Sequence, residues 1–201
     1  LGRKKLHRDI AYSQLDHVSN VVTYLNTNDC DFSDNTKWRW EESGLVLEKP
    51  VEWTVDRVNY YGYNMSISQI IPIDIYNQTA YSLVCETNYS NHYVFYTEKT
   101  VKPILARRLF ILLSHRYALE RLRELGFRTF NGIIDESYDE IEPVQQRHQA
   151  ALEQLEWLCK QDQTDILNQC RDVVEHNFNH MYATDWYGLF RVPFSRLLIQ
   201  G

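Results

Sequence analysis

The sequence predicts an α/β fold, a parallel sheet flanked by helices, on three observations. Two apolar, β-rich runs, Tyr81–Cys85 and Tyr93–Tyr96, each end in a polar cluster that holds a carboxylate. The second cluster, Thr97-Glu98-Lys99-Thr100, leads through a helical pattern to a third apolar run, Leu109–Leu113, which makes a strand–helix–strand unit. The last third of the chain is helical by its periodicity, with the apolar face Val144, Ala151, Leu152, Leu155 and Leu158 followed by a second face through Ile166, Cys170, Val173 and Met181. These observations divide the chain into residues 1–143, the sheet-bearing domain, and residues 144–201, C-terminal helices packed on it as an αα-hairpin.

Taken in order, Ile10, Ala11, Leu15, Val18 and Val22 share a helical face behind the basic cluster Arg3-Lys4-Lys5 and His7-Arg8. Asp9 suits the first turn of that helix, whereas Arg8 there is opposed by the helix dipole. That points to an anion or a partner carboxylate beside Arg8, the alternative being a solvated basic end. Residues 26–36 are dense in Asn, Asp, Thr and Ser and read as a loop after a short strand at Val21–Leu25. Leu45–Leu47 reads as a short strand among Trp38, Trp40 and Trp53. From Val51 to Ile75 the β signal strengthens at Val55, Val58 and Tyr60, and Ser66–Ile71 is open between strand and helix before Pro72.

Beyond the central unit, Arg116–Leu125 is a predicted helix with Leu119, Leu122 and Leu125 inward, ended by Gly126 just after its last turn. Phe127–Phe130 reads as a strand, Asn131-Gly132 as a turn, and Ile133-Ile134 delivers a second acidic cluster, Asp135-Glu136-Ser137-Tyr138-Asp139. Its carboxylates suit a metal or sugar hydroxyls, the alternative being a solvated loop that caps the next helix. Thr164 is the expected N-cap between the last two helices. His176 and His180 stand at i, i+4 spacing, yet with no third ligand in the pattern they read as surface histidines.

Composition limits the function classes. A net charge of −6 argues against a general nucleic-acid binder, so any basic site is local. The four cysteines, Cys30, Cys85, Cys159 and Cys170, lack paired spacing and read as reduced thiols of a cytoplasmic protein. No apolar run reaches membrane-spanning length, and the sequons at Asn64, Asn77 and Asn88 carry no weight without a secretory route.

At the strand–helix junction, Thr97-Glu98-Lys99-Thr100 places a cation, an acid and two hydroxyls beside a helix N-terminus. That set suits an anionic ligand bearing hydroxyls, such as a nucleotide sugar, and equally a helix cap with a salt-bridged turn.

The segment Cys85–Lys99, CETNYSNHYVFYTEK, resembles the signature of GDP-fucose-dependent α-1,3-fucosyltransferases. There one strand ends in Phe-Glu-Asn-Ser and the next in Tyr-Val-Thr-Glu-Lys; here Cys85-Glu86-Thr87 and Phe95-Tyr96-Thr97-Glu98-Lys99 take those places, with Thr87 for Asn and Phe95 for Tyr. The stretch GFRTF followed by DESYD resembles glycosyltransferase-like proteins of phages, viruses and bacteria. Arg8–Leu15 is similar to the first helix of the family's nucleotide-binding domain.

The resemblance implies a Rossmann-like donor-binding domain, the C-terminal half of a two-domain (GT-B-type) glycosyltransferase. It implies that Glu98 holds the ribose, that Lys99 and Arg8 neutralise the diphosphate, and that Glu86 sits near the sugar or supports the loop. Tyr96, Thr97 and Thr100 line the same junction, and Asp135, Glu136 and Tyr138 are further sugar or acceptor contacts. It implies no metal and no cofactor, a GDP-sugar as donor, and a glycan or other hydroxyl acceptor. No catalytic base is assigned, since the family's base belongs to an N-terminal domain that this chain lacks or that a partner supplies. The other reading is a non-catalytic structural or interaction module, in a viral assembly for example, that keeps the fold.

Overall fold

The computed structural model describes residues 6–15, 57–60, 62–89, 93 and 95–189. In chain order these form helix α1 (Leu6–Leu15), strands β1 (Arg57–Tyr60) and β2 (Tyr63–Ser66), a 3-10 turn (Ile67–Gln69) and helix α2 (Ile73–Gln78). Strand β3 (Tyr81–Cys85), helix α3 (Glu98–Leu105), strand β4 (Leu109–Leu113) and helix α4 (Ala118–Glu124) follow. A second 3-10 turn (Ser137–Glu140) precedes the long helices α5 (Val144–Cys159) and α6 (Gln163–Ala183).

Strand β4 is the centre. Its sequence, LFILL, has no polar alternation, and all five side chains are at most 3% exposed. Such a run belongs to a strand covered on both faces, and α3, α5 and α6 all pack on it. Each of these side chains contributes about 2 kcal/mol by leaving water. β4 pairs in parallel with β3 in the register Tyr81↔Leu109 to Cys85↔Leu113, and the Glu86 amide extends the ladder to Leu113 O at 3.0 Å. The Leu112 amide donates at 3.4 Å to the buried Tyr138 hydroxyl, so a side chain meets a backbone donor that β3 does not.

The fold is thus mixed α/β with a two-stranded parallel sheet flanked by helices. A strand–helix–strand unit stands, β3–α3–β4, but its first strand is Tyr81–Cys85 and not the expected Tyr93–Tyr96. Residues 93 and 95–97 lie outside any strand and belong to the connection between β3 and α3. Phe127–Phe130 is likewise no strand; Phe130 turns inward to meet Phe110 edge-on at 5.3 Å, and Glu136 takes its amide. The expected β signal before Pro72 resolves into an antiparallel hairpin, β1 with β2, whose register Tyr60↔Tyr63 leaves a two-residue turn with Gly62 at φ 83°. Helix α2, after Pro72, was not expected.

Gly126 does follow α4 in the left-handed region, at φ 91°. Helix α6 starts at Gln163 and not beyond Thr164, because the Asp162 carboxylate accepts from the Asp165 amide at 3.1 Å. Val18, Val22, the expected strands at Val21–Leu25 and Leu45–Leu47, and Cys30 lie outside the described residues. Among the described residues no helix is long and apolar enough to cross a membrane.

Candidate functional site

The carboxyl ends of β3 and β4 gather most of the buried polar groups. Glu86, Thr100, Ser114, His115, Arg147 and His148 are each at most 4% exposed, joined by His7 and Arg8 from α1. This is the edge at which parallel α/β sheets bind ligands.

Glu86 organises it. The residue is 0% exposed, and its carboxylate accepts four hydrogen bonds. Oε1 takes the Thr97 amide at 2.9 Å and the Thr100 hydroxyl at 2.6 Å; Oε2 takes the Thr97 hydroxyl at 2.7 Å and the Thr87 amide at 3.1 Å. A buried carboxylate survives only with such partners. The Glu86 carboxylate therefore occupies the place beside the α3 N-terminus that suits an anion.

Thr97 is the N-cap of α3, its hydroxyl accepting from the Lys99 amide at 3.3 Å. The Lys99 ammonium lies over this turn, 2.9 Å from Glu98 Oε1, 3.2 Å from Thr97 Oγ1 and 3.4 Å from Thr87 Oγ1. The pair sits at the rim, with Lys99 21% and Glu98 36% exposed by side chain. Partial burial pushes the Glu98 carboxyl up, but the hydrogen bond and charge of Lys99 outweigh it and hold it below its ordinary value. Arg8 reaches the same strand end, with Nη2 3.4 Å from Cys85 O. Burial pushes the Cys85 thiol up to about 11 against the opposing charges of Arg8 and Lys99.

Comparison with protein-family models, curated proteins and solved structures returns no match. The site stands on this chain's own geometry.

That geometry brings Arg8, Glu86, Thr97, Glu98, Lys99 and Thr100 together around the end of β3. Tyr96 stands apart, its hydroxyl donating to Ala118 O at the start of α4, and burial pushes its phenol up. The acidic cluster is turned to other work. Glu136 is buried, and accepts from the Phe130 amide and Thr129 hydroxyl, both at 2.6 Å, and from Arg123 at 3.1 Å. Tyr138 is a core residue, and exposed Asp135 accepts from the Ser137 amide at 2.9 Å. These three residues have their partners inside the fold. Asp139 caps α4 from a distance, accepting from the Leu119 and Glu120 amides at 3.0 and 3.1 Å, where the helix's own N-cap, Tyr117, stands at φ 64° without a side-chain cap bond.

Sequence reasoning missed the weight of His7, Ser114, Arg147 and His148. Arg147 is spent on carbonyls: Nε on Ser114 at 3.1 Å, Nη1 on Ile141 and Glu142 at 2.6 and 3.0 Å, Nη2 on Tyr89 at 3.1 Å. The signal was present. Residues 147 and 148 fall at helical spacing between Val144 and Ala151, on the apolar face of α5, and polar groups there are buried groups. His176 and His180 are half-buried, with Nε2 atoms 3.0 Å from Gly126 O and 2.7 Å from Leu125 O, where they serve the carbonyl end of α4. Among the described residues no group of three or more His, Cys, Asp or Glu stands as a metal site.

Proposed function

We propose that this chain is the donor-binding, Rossmann-like half of a GT-B-type glycosyltransferase and binds a nucleoside-diphosphate sugar, with a GDP-sugar favoured, at the carboxyl end of β3. The observation that carries the reading is the rim of that edge. A Lys99 ammonium is fixed by Thr87, Thr97 and Glu98, with the Arg8 guanidinium reaching the same strand end. Cations fixed in place before the reaction are what a departing nucleoside diphosphate needs. Because Glu86 already takes the amide and hydroxyl of the N-cap Thr97 and the Thr100 hydroxyl, the phosphates meet the side-chain cations at the rim. Glu98, at the rim, accepts ribose hydroxyls. The acceptor and the base that activates its hydroxyl come from a further domain or partner.

Calorimetric titration with GDP-fucose, other GDP- and UDP-sugars and free GDP tests this. One nucleotide sugar binds, and Lys99→Ala weakens it by roughly tenfold or more, as expected when a cation on a phosphate is removed. A folded sample that binds none of them sinks the proposal.

A second reading, a structural or interaction module without chemistry, has its own support. The carboxylates of Glu86, Glu136 and Asp139 are all committed to backbone amides of the fold. The same titration separates the two.

A further inference from the structure

The helix that delivers Arg8 packs Ala11 and Leu15 into the core, at 2% and 8% exposed, and adds a buried imidazole, His7. His7 of α1 has Nε2 2.8 Å from Glu86 O, and His148 of α5 has Nε2 3.2 Å from Ser114 O. The two rings thus donate to the backbone carbonyls that follow β3 and β4. They stand 5.8 Å apart, and the Tyr89 ring completes the cluster, stacked on His7 at 4.1 Å and 6.0 Å from His148. His7 and His148 are 1% and 3% exposed. Besides the Arg8 bond to Cys85 O, the described side-chain contacts of α1 with the body include one exposed amide pair, Gln14 with Gln149 at 2.6 Å.

A proton added to His148 meets an unfavourable setting. Its own neighbour Arg147 is a buried guanidinium. The acids on the surrounding elements are engaged elsewhere: Glu86 with Thr87, Thr97 and Thr100, and Asp139 with the α4 amides. After β4, His115 is another titratable group, buried, with Nδ1 2.6 Å from Arg116 O. Burial pushes His148 down to about 4, with the Ser114 carbonyl working against that shift and Arg147 adding to it.

We propose that His148 is the proton-sensitive latch of α1: neutral, it packs with His7 and Tyr89 and holds the helix on the sheet, and protonated, it releases α1 and carries Arg8 away from the strand end. The release concerns the helix alone and holds whatever the site binds; the loss of Arg8 from a donor site rests on the function proposed above. Linkage fixes the direction. A histidine at about 4 when docked, and at most at its ordinary 6.5 when released with Arg147 and Ser114 still beside it, favours release by up to roughly 50-fold between pH about 7 and about 4.5.

Hydrogen exchange of the full-length protein without ligand tests the latch. The amides of residues 6–15, corrected for intrinsic rates, lose protection by up to about 50-fold between those two pH values while β4 keeps its own. His148→Gln keeps an amide donor for Ser114 O and cannot be protonated, so α1 stays protected at both. Equal loss in the variant, or constant protection in the wild type, overturns the proposal. If the variant does not fold, the imidazole NMR titration of the wild type decides. Protonation of His148 in the same step that opens α1 supports the latch, and protonation with α1 still closed overturns it. Because no nucleotide is present, failure here leaves the donor-binding reading standing, and failure of that reading leaves the latch standing.

Discussion

At the scale of single residues, Glu86 carries the largest consequence. It is a charged group without exposure, and its worth lies in what its removal strands: the amides of Thr87 and Thr97 and the hydroxyls of Thr97 and Thr100. Glu86→Ala should destabilise by about 3 kcal/mol or more, since unmade buried hydrogen bonds cost more than made ones contribute. Urea unfolding measures it, and a loss below about 1 kcal/mol would mean the carboxylate is solvated. Two glycines offer a controlled comparison. Gly126 and Gly132 stand at φ 91° and 89°, but a Cβ on Gly126 meets the His180 ring at 2.7 Å whereas one on Gly132 meets nothing within 4 Å. Gly132→Ala should cost only the left-handed backbone term, about 1 kcal/mol, and Gly126→Ala at least about 1 kcal/mol more. Equal costs would show that His180 moves aside freely.

At the scale of elements, α4 depends on a distant residue. Its N-cap, Tyr117, is left-handed and offers no cap bond, so the first amides are met by Asp139 from the second 3-10 turn. Asp139→Ala should cost about 2 kcal/mol, at the upper end for a lost cap because the site is buried. Exchange protection should fall first at the amides of α4 and persist in α6, and a uniform loss would assign Asp139 a global role instead. Helix α6 has ties of its own to α3. After the end of α3, Arg107 pairs with Glu175 at 2.8 Å and lies 3.4 Å over the Phe178 ring.

At the scale of the whole molecule, the buried titratable groups set the response to acid. His148 falls below its ordinary value on folding, so the unfolded chain binds more protons between about 4 and 6.5. Its contribution is present above the unfolded value and lost as the pH falls through that window, about 3 kcal/mol at most. Glu136 and Asp139 are pushed up by burial, against the hydrogen bonds of Thr129 and the Phe130 amide for the first and of the α4 amides for the second. Folding favours their neutral forms, so these two contribute stability as the pH falls and blunt the loss. Urea unfolding across this range should show stability falling toward pH about 4 in the wild type, and falling less, or rising, in His148→Gln. Parallel curves would remove His148 from the account.

The sequence by itself determined the second part of the central unit, the start of α3 and strand β4. Five consecutive apolar residues at Leu109–Leu113 suit a strand buried on both faces, and Thr97 before Glu98 suits a helix start, because these signals are local. The long helices were legible for the same reason, their apolar face recurring at helical spacing. What the local pattern could not state is where a polar side chain finds its partner. Glu86 and Thr100 are separated by fourteen positions, Asp139 and Leu119 by twenty, and His7 and Glu86 by seventy-nine. Only tertiary structure decided that Glu86 holds α3, that Asp139 holds α4 and that Tyr138 is core. A charged residue reads as a surface residue until the fold shows which donors surround it.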